Sequence, residues 1–496
     1  VPASAPRSHD ASSRIGNNIV PGARLALGLL LAINLINYID RYILAAVEDQ
    51  IQHDFRSTEA QTGLLATAFL VSYMCFAPMF GWLAGRYSRW MLVGIGVLLW
   101  SLASGATGLA TGIGIMLATR VFVGIGEAAY GPVAPTIIAD FYPIERRGQV
   151  LAWFYVAIPV GSALGYMLGG QVLHMGLTWH WAFFIVVPPG LVLGIWALLM
   201  REPLREDIAA AHRGSAAAGE SPQQFGEIES KPAKLSDYKQ LLRIPSFVYN
   251  TAGMAAMTFA AGGLSFWIPR YLVWRKVHAG LLDPANVQLR RVALTDANWT
   301  FGLIVVISGL GATLSGGWLG DKLRGRWPGS YFLVSGYGML VALPCFLAAL
   351  VVPFPAAWAL IFLTCCGLFF NTGPTNTILA NVTHPSIRAA GYALNIFIIH
   401  LLGDAISPPL IGTINTIFGQ HAEAVSQAGA AALNSAKVVD EIVSTNMNAG
   451  FGAVSLAIGL SGVFWLLGSK HLARDTQRVL DAESVGRQSP VDRKEN

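Results

Sequence analysis

The sequence predicts an all-α integral membrane protein with twelve transmembrane helices in two six-helix bundles. Three observations carry this. Hydrophobic residues make up 54% of the 496-residue chain and charged residues 12%, about half the charge of an ordinary soluble domain. The apolar residues gather in twelve runs, each near the roughly 20 residues that cross a bilayer. The segment Gly81-Trp82-Leu83-Ala84-Gly85-Arg86-Tyr87-Ser88-Arg89 returns, altered, as Gly317-Trp318-Leu319-Gly320-Asp321-Lys322-Leu323-Arg324-Gly325-Arg326, 236 residues later. A short basic loop between two apolar runs has thus been built twice. Two similar halves rocking around a central site are how many secondary transporters are made.

In order, the runs fall at 23–47, 61–84, 90–110, 113–139, 148–173 and 180–200, then at 246–273, 298–320, 329–351, 355–381, 387–418 and 448–469. Gly and Pro inside 113–139 and 387–418 predict bends, because Pro removes a backbone donor. These runs divide the chain into a tail 1–22, a bundle 23–200, a linker 201–245, a bundle 246–469 and a tail 470–496. Within the linker, 211–233 is rich in Ala, Gly, Ser and Pro, as flexible linkers are. Residues 234–243 read as a short interfacial amphipathic helix. The outer segments 274–297 and 419–446 are more polar, and Val425–Val443 has helical composition. The charged tail after Lys470 is expected to fray.

Lys and Arg orient the chain. With a cytoplasmic N-terminus, 24 basic residues lie in inner segments and 6 in outer loops. Both termini are therefore expected in the cytoplasm, the protein being multi-pass in a plasma or inner membrane. The pI near 9.0 then reflects this asymmetry. A nucleic-acid partner would need a clustered soluble basic face, and none is visible. Cys75, Cys345, Cys365 and Cys366 lie inside apolar runs without zinc spacing, and read as small core hydrophobes. A polar start and a long first run argue against a cleaved signal peptide. The Gly309–Gly317 stretch lacks the Lys-Ser/Thr ending of a P-loop, so ATP is not the expected energy source. No cofactor and no metal are expected.

Charges inside the runs carry the chemistry. A charge at the bilayer centre costs about 2.5–3.5 kcal/mol on insertion scales, so such residues face a cavity or a partner. Asn34, Asn37 and Arg41 share one face of the first run, Tyr38 flanks it, and Asp40 lies about 100° round from Arg41. A helix end snorkelling to the interface is the plainer alternative. Arg120 and Glu127 sit seven residues apart on one face of the fourth run, and Gly124 and Gly126 admit another backbone closely. A static ion pair is the alternative there. Two acids and two arginines can redistribute a proton, since desolvation raises a carboxylate pKa and a guanidinium lowers it. His400 and Asp404, at i and i+4, can face one cavity as a gate or substrate contact, or form a packed hydrogen bond. Catalysis by this pair is set aside, because the chain has no soluble catalytic domain. Asn371 and Asn376 flank a Gly-Pro break, and irregular membrane backbone is tolerated where it lines a cavity.

Arg120-x-x-x-Gly124-x-Gly126-Glu127, the two repeated loops, and Asp140-Phe141-Tyr142-Pro143-Ile144-Glu145-Arg146-Arg147-Gly148 resemble the major facilitator superfamily. Asn37-Tyr38-Ile39-Asp40-Arg41, Phe266-Trp267-Ile268-Pro269, Asn371-Thr372-Gly373-Pro374-Thr375-Asn376 and the segment from His400 through Asp404 to Pro408 resemble its spinster family of lipid transporters. The resemblance spans roughly 25–470. It implies the major facilitator fold, alternating access and no enzymatic activity. It implies an amphipathic lipid substrate, such as sphingosine phosphate or a lysophospholipid; the intramembrane acids and arginines add the expectation that it moves with protons. A drug or organic-anion carrier of the same superfamily is the alternative. The expected partners are substrate, protons and bilayer, and the expected unit is a monomer.

On this basis Asp40, Glu127, Arg41 and Arg120 are the expected proton-coupling group. Asn34, Asn37, Tyr38, Tyr130, Phe266, Trp267, Asn371, Asn376, His400 and Asp404 are the expected substrate cavity, with polar and aromatic walls. Gly85, Arg86, Arg89, Arg147, Asp321 and Arg388 are expected to gate the cytoplasmic side. Gly85 stands where the superfamily pattern has an acid, which Asp321 keeps, so an asymmetric latch is expected, Asp321 holding Arg147 or a helix N-terminus. Gly161-x-x-x-Gly165-Tyr166-x-x-Gly169-Gly170 resembles the antiporter motif with Tyr166 in place of Pro. Gly262-Gly263, Pro269 and Pro408-Pro409 are expected to form a lateral opening. There an acyl tail, which gains about 0.8 kcal/mol per buried CH₂, can stay in apolar surroundings.

Overall fold

A computed structural model describes residues 20–142, 144–202, 235–283, 286–384, 387–426 and 445–487. Among these the regular elements are helical. The first half comprises α1 (Ala23–Phe55), α2 (Glu59–Leu83), α3 (Arg89–Thr107), α4 (Ile113–Ala128), α5 (Ala134–Phe141), α6 (Ile144–His174) and α7 (His180–Leu199). A short α8 (Leu235–Leu241) precedes the second half. That half comprises α9 (Pro245–His278), α10 (Val287–Arg324), α11 (Ser330–Val351), α12 (Ala356–Phe370), α13 (Thr372–Val382), α14 (Arg388–Ile399), a π turn (His400–Asp404), α15 (Ser407–Ser426) and α16 (Met447–Gly468). A final helix, α17 (Leu472–Arg487), follows. Among the described residues, eleven spans are long and apolar enough to cross a membrane. The twelfth crossing is the α4–α5 pair, too broken to count as one helix.

The breaks fall where Gly and Pro stand. Gly131 and Pro132 separate α4 from α5. Asn371, just before Gly373-Pro374, separates α12 from α13. Gly403 adopts a non-helical φ of −101° and ψ of −107° inside the π turn, four residues before Ser407-Pro408-Pro409. Sharp starts have equally local causes. The turn before α2 is a capping box: Thr58 Oγ1 accepts from Gln61 N at 3.2 Å, and Gln61 Oε1 accepts from Thr58 N at 3.0 Å.

Three helices outrun their apolar sequence. α1 continues eight residues past Val47 to Phe55, α9 ends at His278, and α10 begins at Val287. Their extra turns combine polar contacts with scattered apolar burial: Glu48 and Asp49 of α1 meet Arg270 of α9, while Ile51, Trp274 and Leu294 are buried. The expectation of a frayed tail after Lys470 is corrected as far as Arg487. α17 docks through Asp475, which is 2% exposed. Its Oδ2 accepts from Ser246 N at 3.0 Å and Ser246 Oγ at 2.8 Å. An anion thereby meets the unpaired N–H groups at the start of α9. Cys365 is buried as expected, whereas Cys75 is exposed on α2. The 211–233 linker and most of Val425–Val443 lie outside the described residues.

Within the first half α1 packs on α6, α2 on α4 and α3 on α7; within the second, α9 packs on α16 and α11 on α12. The halves meet along α6 with α10 and α2 with α15. Gly63 makes the second contact possible, since a Cβ there would lie 2.6 Å from the Pro408 carbonyl carbon. Cross-half hydrogen bonds and ion pairs among the described residues gather from mid-height to one end, the end bearing Glu48, Glu59 and Arg270. The repeated basic loops lie at the other end.

Candidate functional site

The four intramembrane charges of α1 and α4 come together, but not in the pairs that their spacing suggests. Arg41 Nη2 donates to Glu127 Oε2 at 2.5 Å. Phe69 and Tyr38 hold the guanidinium with ring centroids 4.8 and 5.0 Å away, a favourable placement for a cation. Asp40 accepts a hydrogen bond from Ser104 of α3. Arg120 Nη2 donates to Thr107 Oγ1 at 2.9 Å. No Arg120–Glu127 ion pair forms among the described residues, so the static pair weighed above is replaced by Arg41–Glu127. Snorkelling of Arg41 is likewise excluded, because α1 runs on to Phe55. Asp40, Arg120 and Glu127 are all buried, and Asp40 Oδ2 and Glu127 Oε1 have no hydrogen-bond partner among the described residues. Buried polar atoms are normally satisfied, so these two oxygens mark where a proton, water or ligand can be accepted.

Two cavities adjoin at the contact between the halves. One, of about 120 Å³, has Arg41, Arg120 and Glu127 on one wall and Ser265, Phe266 and Asp404 on the other. The second, of about 240 Å³, has a mainly apolar wall including Phe301, Leu368 and Phe369. Tyr42, Gly262, Ser265 and Asp404 line both. A chamber lined by four charged side chains, Arg41, Arg120, Glu127 and Asp404, therefore shares a wall with one in which Asp404 is the single charged lining residue. Tyr166, from the variant antiporter motif, closes this wall by donating to the Ser265 carbonyl.

Of the ten expected cavity residues, Phe266 and Asp404 line these chambers. His400 stands behind Asp404, its Nδ1 2.9 Å from Asp404 Oδ1, and so orients the carboxylate. The other seven do not line them, nor does His400. Asn34 Nδ2 donates to Phe154 O at 2.8 Å, Tyr130 OH to Leu30 O at 2.7 Å and Trp267 Nε1 to Pro408 O at 3.0 Å. Asn371 Nδ2 donates to Leu368 O at 2.7 Å and the exposed Asn376 to Thr372 O at 2.8 Å. Asn37 is buried and Tyr38 half-buried beside Arg41. Carbonyls of neighbouring helices capture the donors of Asn34, Tyr130 and Trp267, whereas Asn371 and Asn376 bond carbonyls of their own helical turns. Tyr42 and Ser265 were missed. Tyr42, one turn beyond Tyr38, was the available signal.

At the loop end, Arg89 Nη2 lies 2.7 Å from Asp140 Oδ2 and 2.8 Å from Glu202 Oε2. Where Gly85 lacks the acid of the superfamily pattern, two acids from outside the loop hold Arg89. Arg86 lies over the Trp82 ring at 3.5 Å. Asp321 accepts from Tyr331 OH at 2.8 Å, within its own half. Arg388 Nε donates to Thr383 O at 3.4 Å. The Arg147 side chain lies outside the described residues.

The opposite end holds a cluster that the sequence reading missed. Arg270 of α9, 5% exposed, lies 3.3 Å from Glu59, 3.7 Å from Glu48 and 3.7 Å from Asp49, and donates to Gln52. Glu48 and Glu59 are each 1% exposed. Asn415 Nδ2 adds a donor to Glu59 Oε2 at 2.7 Å, and Asn298 Nδ2 reaches Ala46 O at 3.0 Å. All these contacts cross between halves. A signal existed: apart from Arg24 and Arg388 at the ends of runs, Arg41, Arg120 and Arg270 are the only Lys or Arg residues inside the runs.

The family profile described as Major Facilitator Superfamily matches residues 30–408. The chain is 34% identical over 397 residues to Protein spinster of Drosophila melanogaster, covering 79% of this chain and 62% of that protein. It thus spans less than two thirds of that relative's length. It is 36% identical over 405 residues to Protein spinster homolog 3 of Danio rerio, covering 80% and 78%. Among solved structures, a bacterial homolog to the human lysosomal transporter Spinster, in an inward-facing and unoccupied conformation, matches with a TM-score of 0.71 at 21% identity. That match covers 95% of this chain and 99% of that one.

Proposed function

Because this chain belongs to the Major Facilitator Superfamily, in its spinster branch, we propose that it carries an amphipathic lipid across a membrane by alternating access, coupled to protons. Membership makes it a multi-pass membrane transporter and not an enzyme. The lipid, a sphingosine phosphate- or lysophospholipid-like molecule, and the proton coupling are our reading. The observation that carries it is the charged chamber with Arg41–Glu127 on its wall, joined through Tyr42, Gly262, Ser265 and Asp404 to a chamber that is mainly apolar. An amphiphile needs both walls.

In this reading Glu127 holds Arg41 while ionised. A proton on Glu127 frees the guanidinium for an anionic head group, while Asp40 and Arg120 complete the charge set. His400 aims Asp404 at the same chamber. The bundles 23–200 and 246–469 rock as bodies, tethered by the linker 201–245, with the tails 1–22 and 470–496 at their ends. Positive-inside bias puts both termini in the cytoplasm, in a plasma or inner membrane, so the Arg270 end is outer and shut. Arg89, Asp321 and their neighbours then lie at the cytoplasmic mouth, and the monomer is the working unit.

The test is competition in proteoliposomes loaded with a labelled lysophospholipid. Unlabelled lysolipids and sphingosine phosphate should displace the label, and sugars and soluble drugs should not. Displacement by a drug or organic anion, with lipids inert, would replace the lipid reading with that alternative.

A further inference from the structure

The second half carries an apolar groove apart from the central chambers. It has a volume of about 380 Å³ and is walled by α10, α11 and α12, with Leu323, Leu333, Tyr337, Val341, Leu363 and Phe370 among its lining. No lining residue is shared with either central chamber. Tyr337, Val341 and Leu363 are exposed, so the groove opens outward from the bundle. It runs from Trp327, in the loop before α11, to Val341. Eleven residues of α11 separate Ser330 from Val341, a rise of about 16 Å. That is half of a roughly 30 Å hydrocarbon core, the depth of one leaflet.

The mouth of the groove is the second copy of the repeated loop. Lys322, Arg324 and Arg326 are exposed there, with Asp321 the one acid in that loop. Lys322 rests on the Trp318 ring at 4.6 Å, and Trp318 and Trp327 are both exposed. Tryptophans at this depth are typical of the membrane–water interface. In the first copy Arg89 is held by Asp140 and Glu202. Among the described residues, Lys322, Arg324 and Arg326 form no ion pair within 4.0 Å. The three basic side chains of the second copy are exposed at the mouth of the groove.

We propose that this groove is a binding site for an anionic phospholipid of the adjoining leaflet, one acyl chain lying along α11 and α12 and the head group on Lys322, Arg324 and Arg326. An apolar slot one leaflet deep selects a lipid tail. A basic, interfacial mouth selects a negative head group. The site is separate from the transport chambers, so its occupant is a bound membrane lipid and not the cargo.

The test uses the full chain in nanodiscs with phospholipids bearing a photoreactive diazirine in one chain. Phosphatidylglycerol and phosphatidylcholine probes are compared, and labelled peptides are mapped. Labelling in 333–341 and 363–370 should be about fivefold or more stronger with phosphatidylglycerol. The K322Q/R324Q/R326Q variant should lose the preference while keeping its melting temperature in phosphatidylcholine. Val341→Trp, which fills the groove, should lose labelling with both probes. Equal labelling by both head groups in the wild type, or labelling confined to the central chambers, would overturn the proposal. So would cross-linking of the groove to a second copy of the chain. The wild-type preference decides the matter alone if a variant fails to fold.

Discussion

Glu127 holds Arg41 only while its carboxylate is ionised, so acid should loosen the pair and a neutral amide should imitate acid permanently. Glu127→Gln is expected to slow gradient-driven transport roughly tenfold or more, an effect of about 1.4 kcal/mol. Distances between spin labels on the two halves should then stop responding to pH. A wild-type pH response in the amide variant would remove Glu127 from the coupling group. The presence of these charges was legible in the sequence, because ionisable residues are rare inside membrane runs. Their pairing was not. Helical spacing shows which residues share a face, but Arg41 and Glu127 are 86 positions apart on different helices. The same limit misplaced Asn34, Tyr130, Trp267 and Asn371. A polar residue in an apolar run reads alike whether it faces a cavity or a neighbouring carbonyl.

Among the elements, the breaks were legible because their causes are local: Gly131-Pro132, Gly373-Pro374 and Gly403 each stand at one. The extended ends of α1, α9 and α10 were not, because the apolar signal thins there and the contacts are made with distant parts of the chain: Glu48 and Asp49 with Arg270, Trp274 with the Thr445 carbonyl and Thr295 with the Gly170 carbonyl. The docking of α17 was hidden for a similar reason, since Asp475 and Ser246 are 229 positions apart. Asp475→Asn removes a buried charge from the start of α9 and leaves its hydrogen bonds weaker. The expected cost is about 1–2 kcal/mol, read as a lower melting temperature and faster hydrogen exchange at 246–249. Unchanged exchange there would show that α17 does not cap α9. Gly262→Ala tests the wall shared by the chambers. A Cβ there would lie 2.5 Å from Asp404 Cβ and 3.0 Å from Ser407 Oγ. Transport should fall for substrates of every chain length, since the substitution displaces the π turn itself. Selective loss for long chains would instead support the lateral opening expected at Gly262-Gly263.

For the whole molecule, the repeated loop disclosed two halves, but nothing in the sequence says which end is shut. That depends on cross-half contacts, above all the three acids gathered on Arg270. Arg270→Gln leaves Glu48 and Glu59 buried without that cation, a change that costs roughly 3–5 kcal/mol when a buried pair is broken. The halves can relieve it by parting, so labels at positions 56 and 280 should move apart while the protein remains folded. An unchanged distance would show that the cluster does not hold this end closed. The chain belongs to the Major Facilitator Superfamily; the central claim is transport of a proton-coupled lipid cargo. Uptake of labelled lysophospholipid into proteoliposomes, with and without an imposed pH gradient, tests it most directly. The account predicts accumulation that follows the gradient, collapses with a protonophore and is lost in Glu127→Gln. Uptake indifferent to the gradient, or no lipid uptake by protein that carries another solute, would contradict it.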